Sequence, residues 1–147
     1  LGGRRVQTWP VSKAHLVVGA VLVDDLTHPT RVFAARRTSG SPEAQGRWEF
    51  PGGKVESGES PAEALRRELV EELSVEVTIG PELGDGAGWK INDRLVLRLF
   101  TGRVVSGQPM PGPDHDAIRW LGPDELDEVD WLASDRKALP LVRSLLA

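Results

Sequence analysis

Apolar positions along this chain follow two periods, and these divide it into strands and helices. His15 to Val23 (His-Leu-Val-Val-Gly-Ala-Val-Leu-Val) is a near-continuous apolar run, the pattern of a strand buried on both faces. Arg31 to Arg36 reads as a second strand, and Trp48-Glu49-Phe50 leads into Gly52-Gly53. Val75 to Ile79 is β-branched and predicts another strand. Leu83 to Ile91 and Arg94 to Val105 predict two more, joined near Asn92-Asp93, and Ile118 to Leu121 a short one. Turn composition marks Asp24 to Thr30, the Thr38-Ser39-Gly40-Ser41-Pro42 loop and the proline- and glycine-rich stretch from Gly107 to Asp116. A helical period takes over from Pro61 to about Leu73. Ser60 is a natural N-cap, Pro61 fits the first helical position, and Glu63 completes a capping box. At about 100° per residue, Ala62, Leu65, Leu69 and Leu73 form one apolar stripe. A short helix is expected to begin within Gly122 to Leu126. Pro140 should open a last one over Leu141 to Leu146, because mid-helix it would break the ladder. Strands predominate over two or three helices, with no repeats and no linker long enough to split domains.

The polar face of the main helix is unusual. Glu68, Glu71 and Glu72 share an arc beside the apolar stripe, since i, i+3 and i+4 lie on one face. Unrelieved like charges at these spacings cost a few tenths of a kcal/mol per pair, and no lysine sits four residues along. Such an arc is either a solvated acidic face or a set of oxygen donors for a hard divalent cation such as Mg²⁺ or Mn²⁺. Arg67 lies on the flank, placed to pair with a loop carboxylate such as Glu59.

The stretch from Gly53 to Val75 resembles the signature of the Nudix hydrolases, Gly-x5-Glu-x7-Arg-Glu-U-x-Glu-Glu-x-Gly-U, where U is a bulky aliphatic residue. Gly53, Glu59, Arg67, Glu68, Leu69, Glu71, Glu72 and Val75 match. Ser74 stands where the family has glycine, at a position where a left-handed C-cap is common. The resemblance implies the Nudix fold, an α/β (α+β) arrangement with a mixed β-sheet in an α/β/α sandwich. It would occupy residues 14–147 behind an arm of residues 1–13.

The implied activity is that of the MutT-type branch: Mg²⁺-dependent hydrolysis of (deoxy)nucleoside triphosphates to a monophosphate and pyrophosphate. By the same resemblance Glu68, Glu71 and Glu72 are the metal-binding and base-bearing glutamates, with Gly52 offering a backbone carbonyl to the metal. Glu68 is the candidate to orient or deprotonate the attacking water, while Arg67 and Glu59 hold the loop. Asp114, a few residues before Trp120, is in register with a further metal-approaching carboxylate, or is an ordinary loop aspartate beside Gly112-Pro113. His115 reads as a surface loop histidine, or else as a ligand. Phe50 matches the residue beside the nucleobase, or is simply core. Gly53, Lys54 and Arg37 complete the expected substrate-binding set, unless Arg37 is only a surface strand end. Asp135 stands where the branch carries a base-reading Asn or Asp, or else is an early-helix acid. A carboxylate only accepts, so it suits the N4 amine of cytosine or a guanine edge that donates N–H. Candidate substrates are therefore 8-oxo-dGTP and (d)CTP or its 5-methyl form. Rival implications are hydrolysis of nucleotide sugars such as ADP-ribose, or an inactive domain that binds a nucleotide and regulates a partner.

Composition narrows the rest. A chain of 147 residues fits one domain with a real core. A net charge of −4 argues against a general nucleic-acid binder. The absence of cysteine excludes disulfides, thiol catalysis and Cys-based zinc sites. His15, His28 and His115 are scattered without metal-ligand spacing. No apolar run approaches the ~18 residues of a membrane span. The Leu1-Gly2-Gly3-Arg4-Arg5 start lacks the following apolar segment of a secretory signal. A cytoplasmic monomer or homodimer acting on a small-molecule nucleotide is expected.

Overall fold

The chain's apolar runs become the centre of a mixed sheet in the computed structural model, which describes residues 16–146. The expected arm of residues 1–13 lies outside that range. Strand β1 (Leu16–Leu22) pairs in parallel with β7 (Val96–Ser106), in register from Leu16 opposite Val96 to Leu22 opposite Gly102. On the other side of β1 runs the antiparallel β4 (Gly52–Lys54), and β5 (Glu76–Glu82) flanks β7. The short β6 (Trp89–Lys90) pairs with the start of β7. A second sheet is wholly antiparallel, with β2 (Val32–Arg37) between β3 (Trp48–Glu49) and β8 (His115–Leu121). A bridge between Val23 and Val32 links the two sheets.

The alternation along β1 and β2 explains why both faces are covered. Val18, Ala20 and Leu22, with Phe33 and Ala35, face α1 (Pro61–Leu73) and its Leu65, Leu69 and Leu73. Val21 and Val23, with Val32 and Ala34, face the opposite core, built on Trp131 and on Leu139, Val142 and Leu146 of α3 (Leu139–Leu146). Helix, sheet and helix thus form the three layers of an α/β/α sandwich. A 3₁₀ turn (Leu126–Glu128) and the single-turn α2 (Ala133–Arg136) lie between β8 and α3. They are sewn to β3: the Trp48 N–H donates to Asp130 O at 2.9 Å and the Leu132 N–H to Trp48 O at 2.8 Å.

Several expectations shift by a few residues. Fully buried Ala64, and not half-buried Ala62, joins the stripe of α1. The strand expected over Leu83 to Ile91 shrinks to Trp89–Lys90, because Gly84, Gly86 and Gly88 all take positive φ and turn the chain. β8 starts at His115, inside the stretch expected to be loop. The last helix begins at Leu139, two residues before Leu141.

Candidate active site

Two glycines bring the acidic face of α1 against the sheet. Residues 52–54 form β4, held on β1 by bonds from the Ala20 N–H to Pro51 O (2.8 Å) and from the Val55 N–H to Leu16 O (2.9 Å). A Cβ on Gly52 would lie 1.9 Å from Val18 O, so only glycine lets β4 approach this closely. A Cβ on Gly53 would lie 2.4 Å from the carboxyl carbon of Glu68. The space a side chain would fill there is taken by that carboxylate. One step along, the Gly52 N–H donates to Glu72 Oε1 at 3.2 Å.

Arg67 ties the loop to the helix. Its Nε and Nη2 donate to the two Glu59 oxygens at 2.7 and 3.0 Å, its Nη1 to Glu68 Oε2 at 2.9 Å, and its Nη2 also to Lys54 O at 3.2 Å. The fork on Glu59, with the Glu56 N–H, holds that carboxyl down at about 2. Arg67 Nη1 also reaches Glu71 at 3.3 Å. The like-charge repulsion that no lysine relieves is thus partly met by arginine from within the same turn. Helix α1 ends as the signature requires despite Ser74, which adopts the left-handed conformation (φ 60°, ψ 39°) normally left to glycine.

Burial, followed by the charges of Glu49 and Glu68, pushes the Glu72 carboxyl up to about 8. Burial also raises Glu68, against the pull of Arg67. Glu71 is different: its side chain is 59% exposed. Asp114 is exposed on the loop before β8, held by a bond from Ser39 Oγ at 3.3 Å, and its charge also presses on Glu72.

A cleft of about 530 Å³ opens beside β4. Arg37, Phe50, Gly53, Lys54 and Asp135, the five expected substrate-binding residues, all line it. Ile91, Leu95, Leu97 and Leu132 give it apolar walls. Phe50 is also core, stacked on Trp131 with ring centroids 4.7 Å apart. Asp135 is both an early-helix acid and a cleft residue. It is 4% exposed, and its Oδ2 accepts the Phe50 N–H at 2.9 Å. Burial first, then the charge of Glu49, pushes its carboxyl up to about 7.

The model describing the NUDIX domain matches residues 13–142. This chain belongs to the NUDIX family. The Nudix chain is 40% identical over 124 residues to a Mycobacterium tuberculosis protein provisionally named 8-oxo-dGTP diphosphatase 2, covering 82% of each. It is 31% identical over 140 residues to the CTP pyrophosphohydrolase of Escherichia coli, covering 89% of this chain and 90% of that one. Among solved structures it matches the E. coli ORF135 protein with a TM-score of 0.69, at 31% identity and 90% coverage of each chain. A MutT NUDIX hydrolase from Burkholderia pseudomallei matches with a TM-score of 0.67 at 26% identity, over 87% of this chain and 97% of that one. The Nudix protein is accordingly a hydrolase of phosphoric anhydrides.

Nudix hydrolases in general use divalent metal ions, and the donor set here fits one. Among the described residues, inward-facing Glu72 has a lone N–H partner from Gly52 against the charges of Glu49, Glu68 and Asp114, an imbalance a cation would reverse. Among the described residues no three acidic or histidine side chains already form a closed cage. Glu68 is turned onto Arg67 and Glu71 faces solvent.

Sequence reasoning missed one buried network. Glu49 is 8% exposed and accepts from Arg37 Nη1 at 3.1 Å on both oxygens. On its other side, His115 Nε2 lies 2.8 Å from Glu49 Oε2. The expectation of a surface histidine fails, because β8 begins at His115 and carries its side chain inward, where it is completely buried. The only local hint was Glu49 flanked by two aromatics, a charge inside an otherwise apolar triplet.

Proposed function

We propose that this Nudix hydrolase is a Mg²⁺-dependent pyrophosphohydrolase of (deoxy)nucleoside triphosphates, releasing a nucleoside monophosphate and pyrophosphate in the cytoplasm. The supporting observation is the shared position of Gly52 and Gly53, which form the floor of the base-sized cleft and also back the carboxylates of α1. A nucleoside held in the cleft would run its phosphates over β4 toward Glu68, Glu71 and Glu72. Those glutamates, with the Gly52 carbonyl and Asp114, would hold Mg²⁺, or Mn²⁺ in its place. When bound, the ion neutralises phosphate charge and acidifies water.

The chain's own residues do the rest. Glu68, over Gly53 and beside Arg67, aligns the attacking water and takes its proton on a carboxylate oxygen. Arg67 keeps Glu68 and Glu59 in place through its fork. The Ile91, Leu95, Leu97 and Leu132 walls exclude water around the base, and Arg37 at the cleft wall meets the anionic part of the substrate. Asp135 reads the base edge. Ionised, it accepts from the N4 amine of cytosine or the N–H donors of a guanine edge. Oxidised purine triphosphates such as 8-oxo-dGTP and cytidine triphosphates are therefore the substrate candidates, and the names of the relatives support both. A panel of nucleotides with Mg²⁺, scored for pyrophosphate against orthophosphate and ranked by kcat/KM, tests this. Pyrophosphate released with one of these two groups preferred is the expected result. Preference for a nucleotide sugar, or no turnover of any nucleotide, would overturn it.

A further inference from the structure

We propose that His115 is a positioning residue for nucleotide binding, which acts through Glu49 to fix the Arg37 guanidinium at the cleft wall. The proposal rests on the reading of the cleft as a nucleotide site. The three residues come from three neighbouring strands, β8, β3 and β2, and meet at one end of the antiparallel sheet. A carboxylate only accepts, so His115 Nε2 must carry the hydrogen that Glu49 Oε2 receives at 2.8 Å. Arg37 closes on the same carboxylate with Nη1 at 3.1 Å from both oxygens. Gripped from two sides, Glu49 has one orientation, and Arg37 inherits it. The guanidinium is held further by its Nε bond to Ser39 O at 3.3 Å. Gly40 passes so close that a Cβ there would lie 2.9 Å from Nη2. Among the described residues Nη2 makes no hydrogen bond, which leaves it available to an anionic oxygen in the cleft that Arg37 lines.

Packing alone gives no reason for a histidine at this position. Among the described residues its buried Nδ1 has no hydrogen-bond partner, and such an orphan costs stability that an apolar side chain of similar volume would not. The imidazole is explained by what its other nitrogen holds. Asp114 precedes it and Phe50 follows Glu49, so the same clamp joins the loop bearing the candidate metal ligand to the floor of the cleft.

The test reads binding without divalent ions, through tryptophan fluorescence on titration with dCMP and dGMP, and then KM and kcat with the triphosphates and Mg²⁺. Loss of one charge-assisted hydrogen bond predicts that His115→Leu weakens monophosphate binding and raises KM by about tenfold, with kcat within about threefold. His115→Gln, whose amide N–H can reach Glu49, should recover most of this. If His115→Leu does not fold, His115→Asn, whose amide stops short at the level of Nδ1, replaces it in the comparison. In a Glu49→Gln background the loss of His115 should add less than about twofold, because the path already lacks its middle member. The proposal is overturned if the Leu (or Asn) and Gln variants behave alike, if kcat falls while KM holds, or if the two effects multiply. Wild-type protein that binds neither monophosphate would overturn the cleft reading itself. Wild-type binding alongside an unaltered His115→Leu would remove this proposal alone.

Discussion

At the scale of single residues, two carboxylates with raised pKa values serve different ends. Glu68 has only 16% of its side chain exposed, lies over the Cβ-free face of Gly53 and is bonded to Arg67. Glu68→Gln preserves that shape but cannot take a proton. We expect kcat to fall about 10²- to 10⁴-fold with KM nearly unchanged, and an unaltered kcat at saturating Mg²⁺ would remove Glu68 from its role. Asp135 is buried in the cleft lining, and burial first, then the charge of Glu49, pushes its carboxyl up to about 7 from an ordinary 3.8. The unfolded chain therefore gives up this proton first. Asp135 contributes most below about pH 4, and its contribution is lost as pH climbs toward 7. Melting should accordingly come earlier at pH 8 than at pH 5.5. Asp135→Asn, which never ionises, should narrow that gap by roughly 5 °C in Tm. An equal gap in wild type and variant would show that Asp135 ionises normally.

At the scale of elements, legibility followed the range of the interactions that build each one. The bounds of helix α1 were readable because its cap and its proline are local, and the Ser60–Glu63 capping box forms as expected, while its stripe was misread only at Ala62. β1 was readable because a strand buried on both faces needs a long apolar run, and β7 because buried Leu97, Leu99 and Thr101 alternate with more exposed neighbours. The strand over Leu83 to Ile91 was overread, since its apolar ends hid three glycines that turn the chain between them. The Arg37–Glu49–His115 network was illegible for the opposite reason. Its members lie 12 and 66 positions apart, and no local period reports a contact of that range. Ser74 is the one place where a departure from the signature strains an element. A left-handed serine costs what a glycine would not, so Ser74→Gly should stabilise the protein by about 0.5–1 kcal/mol, or roughly 2–4 °C in Tm, without altering kcat. A lower Tm would show that the serine side chain is itself a needed contact. Gly53→Ala tests the neighbouring element, since the added methyl would meet the Glu68 carboxylate. Activity should drop by at least about 10²-fold while the melting transition stays cooperative, because a small displacement of a catalytic group is costly.

For the whole molecule, the excess of acidic over basic residues is not spread evenly. At the junction of α1, β3, β4 and the loop before β8, burial first, and then the charges of Glu49, Glu68 and Asp114, push the Glu72 carboxyl up to about 8. The unfolded chain ionises it near 4.5, so ionisation opposes folding progressively from pH 4.5 to 8. A divalent cation bound there needs the ionised form and must displace the proton, which couples metal affinity to pH. Mg²⁺ should therefore raise Tm more at pH 8.5 than at pH 6. For a dissociation constant near ~1 mM, ~10 mM Mg²⁺ would add about 1.4 kcal/mol, a shift of a few degrees. Glu72→Gln carries no charge to relieve. It should melt above wild type at pH 8.5 in the absence of metal, and most of its response to Mg²⁺ should be gone. If scanning calorimetry gives the same Mg²⁺-induced shift at both pH values, or in Glu72→Gln, then the cation binds elsewhere and the crowding of these carboxylates needs another explanation.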